Sequence, residues 1–192
     1  QGVKREGVDS KCLADYIAPK ESGVADYIGM FAVTGGIGVD KLSERFQAAG
    51  DDYSDLMIKA LGDRFAEGFA ECLHARVRTD LWGYVTDERL SNEELIDEKY
   101  QGIRPAPGYP ACPEHVVKHD MFRVLQCEDI EMFITDSYAM IPASSVSGFY
   151  FSHPQSKYFN VGNIGEDQLQ DYIKRSGRTE EDVRRTLSGV LG

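Results

Sequence analysis

Between positions 51 and 78 the chain reads DDYSDLMIKALGDRFAEGFAECLHARVR, and no other stretch restricts the fold as strongly. Tyr53, Leu56, Met57, Ala60, Leu61, Phe65, Phe69, Cys72, Leu73 and Val77 recur at three-and-four spacing. This predicts one long amphipathic helix with acids at its positive N-terminal end and the apolar stripe turned inward. The polar side carries Asp63, Arg64, Glu67, Glu71 and His74.

The other elements are shorter. YIGMFAVT (27–34) is an apolar, partly β-branched run closed by Gly35 and Gly36, the pattern of a buried strand ending in a turn. A helix over 40–49 stops at Gly50. Ser91 and Glu94 stand at capping-box spacing ahead of a short helix that leads into the loop GIRPAPGY (102–109). A helix is expected over 121–125, strands over 132–135 and 138–140, and an aromatic strand SVSGFYFS (145–152) bent or bulged at its glycine. KYFNV (157–161) fits a further strand. Two helices close the chain, over 166–175 and 180–187, the second with Thr179 and Asp182 at capping-box spacing. Strands and helices come in mixed order without a regular βαβα alternation, so the expected class is α+β, and 192 residues fit a single domain.

Charge and cysteine usage narrow the function classes. Against 21 Lys and Arg stand 32 Asp and Glu, a formal net charge of −11. Nucleic acid and anionic membrane need clustered cations, so both are disfavoured as partners. No apolar run approaches the roughly 20 residues that span a bilayer. The start, QGVKREGVDS, has no apolar signal-peptide core, which makes the cytoplasm the expected compartment. Cys12, Cys72, Cys112 and Cys127 lack the dense pattern of a disulfide-stapled secreted domain and read as reduced thiols. A first residue Gln1 rather than Met is compatible with a piece of a longer protein.

Residues that suggest chemistry gather in and after GIRPAPGY. Pro105 and Pro107 fix their own φ at about −65° and hold Arg104 and Ala106 extended, so the loop loses little further entropy on binding. Gly102 and Gly108 permit sharp turns, and Arg104 offers a planar fork suited to a carboxylate or phosphate. The same arginine also fits a plain surface ion pair. By spacing alone Glu67 is a solvated helix residue, and Tyr158 with Phe159 an ordinary core-filling strand pair. Cys112, His115 and His119 have metal-ligand spacing, but a structural zinc site needs a fourth ligand and none is evident. Gly35-Gly36-Ile37-Gly38 is too short for a dinucleotide fingerprint and reads as a turn. Without a GxSxG elbow or an orienting partner for Cys112, nucleophilic hydrolysis has little support.

Longer strings are more specific than these motifs. CLADYIAP (12–19), ADYIGMFAVTGG (25–36), DRFAEGFAECLHARVR (63–78), LSNEELIDEKYQGIRPAPGYPACPEH (90–115) and SVSGFYFSHPQSKYF (145–159) closely resemble, in order, the C-terminal activation domain of cobalamin-dependent methionine synthase. The resemblance implies a C-shaped α+β domain around a twisted antiparallel sheet. It implies that the domain binds S-adenosylmethionine and supports reductive remethylation. In that process an electron, from flavodoxin or another donor, and a methyl group from S-adenosylmethionine regenerate methylcobalamin on a neighbouring cobalamin-binding domain. The chain would then be part of a methyltransferase and not catalytic by itself. Residues 1–192 would form the C-terminal portion of that domain, with the family's upstream strands and an upstream acidic ligand residue outside them. The rival expectation is a protein-interaction module that docks on a cobalamin domain or flavodoxin without a ligand of its own.

Carried over position by position, the resemblance assigns Arg104 to the methionine carboxylate of S-adenosylmethionine. The backbone around Ala106 and Gly108 would form the wall of the site. Tyr109 would lie where the ligand's methyl end faces the corrin, while Glu67, Tyr158 and Phe159 match further ligand-site positions. Asp63, one turn before Glu67, would face the cobalamin domain. Such a set suits the ligand, which joins a carboxylate, an ammonium, a sulfonium and an adenine ring. No catalytic residue and no metal ligand is implied, because methyl transfer from a sulfonium to reduced cobalt is carried by the cofactors.

Overall fold

A computed structural model describes residues 10–192. Strand β1 (Gly29–Thr34) forms where expected, beginning at Gly29 rather than at position 27. Helix α1 (Val39–Ala48) follows, then the long helix α2 (Asp52–Arg76), whose first turn is capped by Asp51 accepting from the Ser54 amide. A π-helical turn (Val77–Leu81) ends it. Helix α3 (Asn92–Ile96) opens with the expected capping box: Ser91 Oγ accepts from the Glu94 amide at 3.3 Å, and the Glu94 carboxylate accepts from the Ser91 amide at 2.9 Å. Helix α4 (Val117–Val124) starts earlier than its apolar residues suggested, because its first turn, VKHD, is polar. A small antiparallel ribbon, β2 (Phe133–Ile134) with β3 (Met140–Ile141), precedes β4 (Ser145–Tyr150). Helices α5 (Glu166–Ser176) and α6 (Glu180–Thr186) follow, and a 3-10 turn (Ser188–Val190) comes after them.

Strands β1 and β4 pair antiparallel in unbroken register, from Gly29 opposite Tyr150 to Thr34 opposite Ser145. Of the bend or bulge expected at Gly148, the bulge is therefore not formed. Glycine stands there for room: a Cβ would lie 2.8 Å from both the Phe31 ring and the Pro105 carbonyl oxygen. That carbonyl belongs to a third extended stretch. The amides of Ile103 and Phe151 each donate to the other's carbonyl at 3.0 Å, and the Phe149 amide donates to Pro105 at 3.0 Å. The first half of GIRPAPGY is thus stitched along the outer edge of β4, a place where prolines, with no N–H to pair, are tolerated.

The strand expected over 157–161 does not form. The segment is irregular, tied by Tyr16 OH donating to the Lys157 carbonyl at 3.2 Å and by the Val161 amide donating to the Pro110 carbonyl at 2.9 Å. Its aromatic alternation imitates a strand, but its backbone partners are a side chain and a turn.

The largest departure concerns which side of α2 faces inward. Tyr53, Leu56, Phe65 and Phe69, the bulk of the apolar stripe, are 74%, 66%, 70% and 52% exposed. The face that packs is the small one, Gly62, Ala66, Ala70 and His74, spaced by four residues. Small side chains let the helix settle closely on the β1–β4 ribbon. There Phe31, Val33, Ala70, Val77 and Tyr150 form a core, with Phe31 stacked on Tyr150 at 4.7 Å between ring centroids. A second cluster, Phe122, Cys127 and Met132, lies against the β2–β3 ribbon. A third, Leu169, Val183 and Leu187, joins α5 to α6. Buried Glu114 ties these last helices to the stretch after GIRPAPGY, accepting from Tyr172 OH, from the Arg178 guanidinium and, at 2.7 Å, from Thr186 Oγ1.

Two neighbouring substitutions separate the packed face from the exposed one. Ala66→Leu is expected to cost about 1–3 kcal/mol by overpacking the helix against the ribbon. Phe65→Ser, on the outer side, should change stability by less than about 0.5 kcal/mol. Urea melts of both variants measure the contrast, and equal losses would put Phe65 in the core.

Candidate functional site

Between the edge loop, α2 and the irregular segment after β4 lies a cavity of about 490 Å³. Six of the seven ligand-site positions named from the sequence line it: Glu67, Arg104, Ala106, Tyr109, Tyr158 and Phe159. They come from α2, from GIRPAPGY and from the segment whose strand did not form. Phe31 of β1, Val146 of β4 and Asn160 also line it and were not foreseen. Gly108 shapes the wall without lining it. Its φ is +96°, and a Cβ there would lie 2.0 Å from the His115 ring, so only glycine fits the turn. The Gly108 amide donates to the Cys112 carbonyl at 2.7 Å, and the Cys112 amide donates back to Tyr109 at 2.9 Å. This closed turn holds Tyr109 outward, 64% exposed.

A second hollow of about 370 Å³ adjoins the first, sharing Glu67 and Val146 with it, and is lined also by Asp63, Arg64, Ala66 and Ser145. Asp63 is exposed and accepts from Ser144 Oγ at 2.7 Å. Glu67 thus lines both hollows, and Asp63, one helical turn before it, lines the second.

Arg104 is the most constrained cavity residue. Its amide donates to Tyr158 OH at 3.0 Å. One terminal nitrogen of its guanidinium donates to Glu71 Oε2 at 2.5 Å, while the other donates to Tyr100 OH at 2.8 Å and lies 3.2 Å from His74 Nδ1. The arginine is ion-paired, but in a half-buried wall and not on the open surface. His74 is fully buried, stacked on Tyr150 at 5.0 Å and edge-on to Tyr100 at 4.9 Å. Burial, with the charges of Arg78 and Arg104 added, pulls its pKa from the ordinary 6.5 to about 2, so the ring is neutral. Facing an arginine, a neutral ring presents its lone pair at Nδ1 and carries its proton on Nε2, 3.5 Å from Tyr84 OH. Behind this group Arg78, wholly buried, reaches Glu88 at 2.6 and 2.7 Å and lies over the Tyr100 ring at 4.2 Å.

Sequence reasoning placed Glu71 and His74 on the polar side of α2 without seeing that this side faces Arg104. Tyr100 was missed; its only signal was its place four residues before the arginine. The metal-like spacing after the loop does not gather. Cys112 is half-buried, with its thiol pushed up to about 11 by burial and the nearby Glu114 charge. His115 packs on Gly108, and His119 meets Tyr138 edge-on at 5.2 Å. Among the described residues no three His, Cys, Asp or Glu side chains are grouped to hold a metal ion, and all four cysteines are free.

Residues 1–177 match the family described as vitamin B12 dependent methionine synthase, activation domain. The chain belongs to that family. A solved structure, the MetH reactivation domain bound to AdoHcy, is 55% identical and superposes with a TM-score of 0.95, covering 98% of this chain and 58% of that one. The chain thus spans less than two thirds of the related chain. At this similarity the mixed helices, antiparallel pairing and long helix are the activation-domain fold, in agreement with the α+β expectation.

His74 gives this activation-domain chain a pH signature. The ring is neutral in the fold and takes a proton in the unfolded chain. Its contribution is therefore complete above about pH 6.5 and is lost as pH falls, by up to about 1.4 kcal/mol per pH unit. His115, also held below its ordinary value by burial and by Lys118, adds in the same direction. Urea melts from about pH 7.5 to about pH 5.5 should show the decline, and His74→Asn should flatten it. A slope unchanged in the variant would assign the proton uptake elsewhere.

Proposed function

We propose that this chain is the C-terminal, S-adenosylmethionine-binding portion of an activation domain serving cobalamin-dependent methionine synthase, and that the ligand occupies the cavity beside Arg104. The convergence of Glu67, Arg104, Ala106, Tyr109, Tyr158 and Phe159 on one space carries the reading. The related reactivation domain was solved with AdoHcy, which differs from S-adenosylmethionine only by the methyl group on sulfur.

The residues fit such a ligand. Of the five N–H groups of its guanidinium, Arg104 gives three to Tyr100, His74 and Glu71 and keeps two for a carboxylate. Glu67 brings a carboxylate to the cavity rim for a sulfonium or ammonium, and Phe31, Val146 and Phe159 provide apolar and aromatic walls for an adenine. A cavity of about 490 Å³ lies inside the roughly 300–1,000 Å³ range of small-molecule sites.

When bound, S-adenosylmethionine supplies the methyl group, and cobalamin on a neighbouring domain supplies the cobalt that receives it. This chain binds, orients and shields. Arg104 and the proline-stiffened wall hold the amino-acid end at low entropy cost, and the aromatic residues exclude water. Tyr109 at the base of its turn and Asp63 on the adjoining rim are both exposed, and they form the contact with the cobalamin domain. Flavodoxin or another donor supplies the electron. The four free cysteines accord with a reducing compartment, the cytoplasm, and among the described residues no helix is long and apolar enough to cross a membrane. The apolar ridge of Tyr53, Leu56, Phe65 and Phe69 is the face on which the rest of the domain packs in the longer protein.

Calorimetric titration of S-adenosylmethionine into this chain, and into one extended upstream, tests the reading. Saturable binding is expected, tighter in the extended chain, and Arg104→Ala should weaken it by about 1.5–3 kcal/mol, the worth of hydrogen bonds to a charged group. Circular dichroism of the variant should stay native. Unchanged affinity would remove Arg104 from the site. Binding by neither chain would refute the ligand and leave docking on a cobalamin domain as the function.

A further inference from the structure

Glu71 does not line the ligand cavity, yet it makes the shortest contact to the arginine that does. Three groups grip the Arg104 guanidinium: Glu71 Oε2 at 2.5 Å and His74 Nδ1 at 3.2 Å, both from α2, and Tyr100 OH at 2.8 Å. None of these three residues lines the cavity. Nη1 spends both of its hydrogens on Tyr100 and His74, and Nη2 spends one on Glu71. The hydrogens left over are one on Nε and one on Nη2, neighbouring nitrogens that together form a fork for a carboxylate. We propose that Glu71 is a positioning residue: with His74 and Tyr100 it locks Arg104 from behind so that the Nε–Nη2 edge is presented to the cavity before any ligand arrives. This inference rests on the ligand reading above.

Two effects of Glu71 oppose each other. Its charge neutralises Arg104 and on that account weakens the pull on a second carboxylate. Its grip removes rotamer freedom that a free arginine would lose on binding. The grip prevails, because the pair is half-buried, with side chains 22% and 28% exposed, and a carboxylate that touches the fork gains from alignment more than from net charge. The other carboxylate oxygen, Glu71 Oε1, is buried with no hydrogen-bond partner. An orphaned acceptor is a cost to stability, so the placement of Glu71 is poorly explained by stability alone. His74 completes the device: held neutral, it accepts from Arg104 where a charged ring would repel it.

The test compares S-adenosylmethionine with its decarboxylated analogue, which keeps the sulfonium and adenosine but lacks the group Arg104 would hold. Both are titrated into the wild-type chain, Glu71→Ala and Glu71→Gln. Arginine side-chain N–H signals are followed by NMR in the ligand-free proteins. Glu71→Ala should weaken S-adenosylmethionine roughly three- to tenfold, the entropy of re-immobilising one long side chain, and leave the decarboxylated compound unaffected. Glu71→Gln, whose amide oxygen still accepts, should recover most of the loss. The Arg104 Nη signals, separate in the wild type through hindered rotation, should merge in Glu71→Ala. Equal losses for both compounds, a gain in S-adenosylmethionine affinity, or unmoved Nη signals would each overturn the positioning role. A wild-type chain that binds neither compound overturns the ligand reading and this inference with it, whereas normal binding with Glu71→Ala indifferent overturns the inference alone.

Discussion

The contact on which the rest of this domain depends is the close packing of a glycine and alanine face on a two-stranded ribbon. Gly62, Ala66 and Ala70 bring α2 down onto β1 and β4, with no side chain larger than a methyl group contributed by the helix at these three positions. At that distance the residues flanking the small face reach the loop along the outer edge of β4. Glu67 meets the cavity, and Glu71 and His74 meet Arg104. Larger residues on this face would hold the helix farther out and break those contacts before any side chain of the site was touched. The same arrangement turns the bulky apolar residues outward, so a ridge that is costly on an isolated chain follows directly from the packing that builds the site.

Behind the cavity the polar groups are arranged for geometry more than for stability. Two arginines bracket Tyr100, with Arg78 at 4.2 Å and Arg104 at 5.8 Å from its ring. Arg78 is anchored on Glu88 with no exposure at all, and one of its terminal nitrogens, Nη1, has no partner. Removing such charges from water offsets most of what their attraction returns, so a buried pair of this kind is weak support for stability. What it does provide is a packed support for Tyr100, whose hydroxyl in turn accepts from Arg104. The prolines of the edge loop act to the same end from the backbone, because Pro105 offers its carbonyl to Phe149 and leaves no donor unpaired.

Local features were legible where local physics decides them. The capping box at Ser91, the cap at Thr179 and the length of α2 each depend on a few neighbouring residues, and each appears as read. The misreadings share a cause. Gly148 resembled a bulge and instead leaves space for Phe31 and a carbonyl from a loop more than forty residues away in the sequence. KYFNV resembled a strand, but its backbone bonds go to the Tyr16 hydroxyl and the Pro110 carbonyl instead of to a strand. Helix α4 began in a polar turn that carries no apolar signal.

By itself, the sequence determined the α+β class, the positions of most helices and of the β1 and β4 strands, and, through long matching strings, the residues that gather around one cavity. These follow from short-range preferences and from identity of pattern, both written along the chain. Only the tertiary structure decided that the small face of α2 is the inward one, that GIRPAPGY lies as an edge on β4, and that Arg104 is held by Glu71, His74 and Tyr100. The reason is physical. Alanine and glycine bury little area and leave almost no hydrophobic signal, yet they permit the closest approach of helix to sheet, and that approach is a property of two surfaces meeting.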